Sequence, residues 1–139
     1  MFAHEWSKTQ VLVEPDVHQK REQLAACIRG LLEGQTIEVP DAPGRDVQIV
    51  AIRDLPEKKG LSTAEGQARL LHDLASIELQ AMELGVRTLA EFPEGKDPLR
   101  HAPRAFREEL SAVTLDEGRH LGLCLKALTA LGFPWGSFP

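Results

Sequence analysis

Glu117 and His120 stand three residues apart in a segment whose apolar residues recur at helical spacing. At about 100 degrees per residue the imidazole lies nearly above the carboxylate, so the two groups project together from consecutive turns of one face. The helical neighbours of Glu117 are Leu110, Val113, Thr114, His120, Leu121 and Cys124, with Ala127 and Leu128 extending the face. Glu78 is placed in the same way, among Leu71, Leu74, Ala75, Ala81, Met82 and Gly85. A carboxylate inside a stripe that must face a core is costly unless a cation pairs with it or its pKa shifts. Glutamate oxygens suit hard cations and bridge two ions, while imidazole adds a neutral ligand and leaves positions open for oxygen or water. Carboxylate-bridged di-iron and di-manganese bundles use two single glutamates and two Glu-x-x-His pairs. Glu78, Glu117 and His120 are therefore the candidate metal ligands, half of such a set, and they are expected to converge between two helices with carboxylates less than about 8 Å apart.

Other readings of the same residues stay open at this level. A Glu-x-x-His pair also recurs by chance on solvated helix faces. A buried acid can take an arginine such as Arg69 or Arg119 as counter-ion, although both turn away from the stripe in an ideal register. His72, six residues before Glu78, is rotated about 120 degrees from it and reads as structural or supporting rather than as a ligand. Cys124 lies one turn beyond His120, where it either approaches the site or is a plain core thiol. Glu83 and Asp73 read as members of solvated faces, and His4, His18 and His101 fit no pattern. No catalytic side chain beyond the ligands is assigned.

Three helices are expected to position these groups. After Pro15, Asp16 can cap a short helix whose apolar positions Leu24, Cys27, Ile28, Leu31 and Leu32 share one face, ending near Gly34. Residues 35–60 contain Pro40, Pro43 and Pro56 and read as a wrapping linker, with 47–52 as an extended segment or small strand. Ser62 and Glu65 have the spacing of a capping box at the start of a long helix that Pro93 must stop near Phe92. A second long helix, starting at Asp97-Pro98 or Ala102-Pro103, runs to about Leu131, where Gly132 and Pro134 end it. The two long helices should form an antiparallel hairpin. The chain thus divides into residues 1–60, a short helix and linker, and 61–139, the hairpin.

The bulk numbers exclude several classes. A chain of 139 residues fits one domain, and 42% hydrophobic with 27% charged residues is a globular composition. The net charge of -5 leaves no excess of cations for phosphate, so nucleic acid is not a default partner. Cys27 and Cys124 lie far apart without a second Cys at metal spacing, which fits a reducing, cytoplasmic setting. The first ten residues have no apolar run of the signal-peptide kind, and no stretch approaches the roughly 20 apolar residues of a membrane span.

From about Arg53 onward the sequence resembles a bacterial family of ferritin-like proteins, the domain-of-unknown-function family numbered 455. The resemblance is carried by Arg53-Asp-Leu-Pro56, Leu70-Leu-His-Asp-Leu-Ala75, Ile77-Glu-Leu-Gln-Ala81, Asp116-Glu117-x-x-His120 and Gly132-Phe-Pro-Trp-Gly-Ser-Phe-Pro139. It implies an all-α, ferritin-like hairpin, half of a four-helix bundle. Glu78 then matches the single glutamate of one helix, and Glu117 with His120 the pair of the next. Where family members usually carry a histidine before the Ile-Glu step, this chain has Ser76. The family pattern continues into a second helical pair with the remaining glutamate and Glu-x-x-His, so the resemblance implies the N-terminal half of that pattern.

Three functions follow as expectations. The first is a di-iron, oxygen-activating oxidoreductase with two metal ions, iron by expectation and manganese or zinc as alternatives. The second is iron handling of the ferroxidase type, and the third a metal-free helical interaction module. Counting ligands, the partner expected is a second copy of the chain or a complementary half of the bundle.

Overall fold

The computed structural model describes residues 10–139. Its helices are α1 (Val17–Leu32), α2 (Ala64–Glu91) and α3 (Arg104–Leu131), with a single 3-10 turn at Ile52–Asp54. The architecture is all-α: among the described residues no strand forms, and 47–52 is irregular chain leading into that turn. None of the described helices is long and apolar enough to cross a membrane.

Local chemistry sets each boundary. The Asp16 side chain accepts from the Gln19 N–H and caps α1. At α2 the cap is Thr63, which accepts from the Gly66 N–H, one residue later than the Ser62 capping box expected from spacing. Both residues can cap, and the structure uses the one that lets Gly66 pack against the carbonyl of Gly60, where a Cβ would meet that oxygen at 1.9 Å. Pro103 supplies the start of α3, the second of the two expected positions, and Gly132 ends it in the left-handed conformation with φ 85°.

The hairpin is antiparallel, as the pairing of Gly85 with Thr114 and of Glu78 with His120 requires. One side of it is closed by α1. Leu24, Ile28 and Leu31 pack there with Leu79, Met82, Val86, Leu121, Leu125 and Leu128, all nearly inaccessible. Arg107 fastens the ends of the helices. It donates to the carbonyls of Leu89 and Leu31 at 2.7 and 2.9 Å and also to that of Phe92, so one guanidinium ties together carbonyls at the ends of both α1 and α2.

Glu83 corrects the reading of it as solvated. It is 4% exposed and stands between two cations. Lys20 Nζ lies 2.8 Å from one oxygen, and Arg45 reaches both oxygens at 2.6 Å. The Lys20 ammonium also donates to the Val11 carbonyl at 2.7 Å. These ion pairs fasten α1 and the linker to α2, and desolvation pushes the Lys20 pKa down against the pull of Glu83.

Residues 132–139 form a clasp over α2. Trp135 stacks on His72 with centroids 4.5 Å apart, and Phe138 meets the same ring edge-on. The Trp135 indole donates to Asp46, whose other oxygen accepts the Val17 N–H at the start of α1. The His72 Nε2 accepts the Gly136 N–H at 3.2 Å, so this histidine ties the C-terminal residues to α2.

Candidate metal centre

Glu78, Glu117 and His120 come together on the side of the hairpin away from α1. One potential ligand atom from each lies within 4.8 Å of the other two. The Nδ1 of His120 is 3.6 Å from an oxygen of Glu78 and 3.6 Å from an oxygen of Glu117. Two donors on opposite sides of one ion with bonds of about 2.1 Å stand roughly 4.2 Å apart, so small rotamer adjustments bring these atoms onto a shared ion. The antiparallel crossing makes this possible: Glu78 is one helix's contribution, and the three-residue step from Glu117 to His120 is the other's.

The site lies on an open groove rather than deep in the core. The side chains of Glu78, Glu117 and His120 keep 24%, 25% and 41% of their surface accessible. The apolar stripes around them are divided accordingly. Ala75, Met82 and Leu121 are buried beneath, whereas Leu74 and Val113 remain 41% and 54% exposed beside the carboxylates. Only one side of the hairpin has α1 to cover it, and helical periodicity alone does not distinguish the covered half of a stripe from the uncovered half.

The electrostatics suit a cation. The pKa of Glu78 is raised, first by hydrogen bonding with Glu117, then by burial and by the negative charge of Glu117, while His120 opposes the rise. A positive ion beside Glu78 would oppose that rise and favour its ionised form. A guanidinium nitrogen of Arg119 lies 3.2 Å from His120 Nε2. Arginine only donates, so in this contact Nε2 accepts and the ring proton sits on Nδ1; a neutral imidazole that binds an ion through Nδ1 carries its proton on Nε2 instead, and the Arg119 contact would open. Arg119 therefore does reach His120, but on the edge away from the two acids. Cys124 is half-buried nearby, its thiol pKa raised by desolvation and by the Glu78 charge. His72 and Asp73 take no part in the cluster.

Gly85 and Thr114 hold the two helices close beside this cluster. A Cβ at Gly85 would meet Thr114 Oγ1 at 2.1 Å, and that hydroxyl is fixed by a 2.7 Å hydrogen bond to the Leu110 carbonyl. Gly85→Ala gains about 1 kcal/mol of helix propensity but incurs about 1–3 kcal/mol of overpacking. A net loss of about 1 kcal/mol is expected in denaturant melts, with recovery on adding Thr114→Ala, which clears the space. A more stable Gly85→Ala protein would show that the helices are not held by this contact.

The sequence matches the model of the family described as Protein of unknown function (DUF455) over residues 6–139. The chain belongs to the DUF455 family. The match extends well before Arg53, so α1 and the linker are part of the DUF455 pattern as well as the hairpin. An uncharacterized protein of Haemophilus influenzae is 32% identical over 90 residues, covering 65% of this DUF455 chain and 31% of the relative. The chain thus aligns with about a third of that relative's length. No solved structure matches.

Proposed function

We propose that Glu78, Glu117 and His120 are the ligands this chain brings to a two-metal carboxylate centre of the ferritin-like kind, with iron as the metal and manganese or zinc as possible substitutes. The observation that carries the reading is their convergence: two acids and an imidazole from facing helices place ligand atoms within 4.8 Å, on a groove flanked by apolar side chains. Oxygen and nitrogen donors with no thiolate among them match a hard or borderline ion. When bound, such an ion pair supplies oxygen-dependent redox chemistry, and the activity proposed is that of an oxidoreductase on a substrate still to be found. Iron oxidation for storage is the alternative use of the same site. Substrate-dependent oxygen uptake distinguishes the two.

The remaining glutamate and Glu-x-x-His pair are proposed to come from a second helical pair laid over the groove. Exposed Leu74, Ile77, Val113 and Leu123 favour this, because an apolar rim around a polar centre gains from being covered. A second copy of the chain about a twofold axis meets the count by symmetry, and another segment of a longer polypeptide meets it equally. The exposed rim also favours a second reading, a metal-free helical interaction module.

Anaerobic titration of metal-free protein with ferrous ion, followed by light scattering, tests the proposal. The expected result is saturation at one ion per chain with the mass of a pair. A monomer that binds the ion with these ligands would assign the missing half to a longer polypeptide. Absence of saturable binding, or binding that survives Glu78→Ala with Glu117→Ala, would leave only the metal-free reading.

A further inference from the structure

Arg69 is 8% exposed, and its Nε is enclosed without a hydrogen-bond partner among the described residues. Buried guanidinium groups are normally matched by a carboxylate or a fan of carbonyls. The two acids best placed for that on a helix, one turn either side, are Glu65 and Asp73. Both are engaged elsewhere: Lys59 holds Glu65 at 2.5 Å and Lys58 holds Asp73 at 3.3 Å. The neighbour left to Arg69 is the face of Phe138, 5.3 Å from the guanidinium carbon. A ring face is a weaker partner for a guanidinium than a carboxylate, and it leaves the Nε–H without an acceptor among the described residues.

The same arginine lines a cavity of about 240 Å³ whose other walls include Phe138, Pro56, Glu57 and Ser137. We propose that this cavity binds a small organic carboxylate, with the carboxylate paired to the guanidinium of Arg69 and the apolar body against Phe138 and Pro56. An arginine presents a planar fork of donors that fits a carboxylate. The aromatic and proline walls favour a ligand with an apolar part over a bare inorganic ion. Glu57 and Glu65 offset the charges of Arg69 and Lys59 in the lining, so the cavity has no excess of cations for a dianion and phosphate is not the preferred occupant. Arg69 is nine residues before Glu78, about two and a half turns along α2, so this site is separate from the metal ligands.

The probe is sodium benzoate, with benzamide as its uncharged isostere and inorganic phosphate as the competing anion. The side-chain Nε–H resonance of Arg69, identified by its loss in Arg69→Lys, reports the contact in proton–nitrogen correlation spectra of the whole chain. Benzoate should shift it saturably with a Kd of about 1 mM or tighter, and benzamide and phosphate should bind at least about tenfold more weakly. Titration followed on neighbouring backbone amides should show about tenfold weaker benzoate binding in Arg69→Lys and several-fold weaker binding in Phe138→Leu. No saturable response to benzoate, an equal response to benzamide or phosphate, or undiminished binding by Arg69→Lys would overturn the assignment. If Arg69→Lys does not fold, the resonance is assigned through its couplings within the side chain, and the three probes on the wild-type chain decide the question.

Discussion

Replacing Glu83 with alanine should destabilise the fold by about 3–5 kcal/mol, the usual consequence of removing one partner from a buried ion pair. The reason lies with Lys20, which is fully buried and has, among the described residues, one other hydrogen-bond partner, the Val11 carbonyl. Without Glu83 its ammonium would stay enclosed with no counter-charge. Arg45 is less constrained, because 16% of its side chain already meets solvent and can carry the guanidinium outward. Lys20→Met should therefore be milder, since it removes the buried cation and leaves Glu83 paired with Arg45. Calorimetry on the two variants checks both statements. A loss from Glu83→Ala below about 1 kcal/mol, the range of a surface pair, would mean that water reaches Lys20 in solution.

The second large effect concerns metal content. On the proposed ligand set Glu117→Ala would remove one of three donors to the ion, so the purified variant should retain almost no metal. His72→Ala should act differently, because His72 stacks on Trp135 and accepts from Gly136 rather than facing the cluster. Its replacement should loosen the clasp and lower stability, with metal affinity reduced by no more than the factor of about 10–100 typical of an outer supporting residue. Elemental analysis of wild type and both variants, prepared in parallel without chelator, makes the comparison. Equal losses from the two variants would mean that the roles of these residues have been confused.

The contrast between the two predictions reflects what a linear sequence exposes. Glu78 and Glu117 stood out because acids interrupt otherwise apolar helical stripes, and the three-residue step to His120 marked a third candidate ligand beside them. The helices were legible for similar reasons: Pro93 and Gly132 end them, and Asp16 begins one. Glu83 was not legible, because its helical neighbours include Ser76, Gln80 and Arg87, and its burial depends on Lys20 and Arg45 from remote segments. Arg107 was hidden in the same way, since the carbonyls it satisfies belong to the ends of two other helices. The clasp formed by Phe133, Trp135 and Phe138 follows no helical or strand period and shows its role only once His72 is placed beside it.

Periodicity also cannot say which part of an apolar stripe is covered. Leu74 and Val113 share faces with buried neighbours yet remain open, because α1 occupies a single side of the hairpin. That openness places the candidate ligands at a groove and leads to the proposal of a second helical pair.

The position of a bound metal bears most directly on this account. Crystals of protein loaded anaerobically with ferrous ion, measured at the iron absorption edge, would locate it by anomalous scattering. A peak is expected between α2 and α3, about 2.0–2.3 Å from carboxylate oxygens of Glu78 and Glu117 and from Nδ1 of His120. An iron peak elsewhere, or none between these three side chains in protein that carries stoichiometric iron, would contradict it.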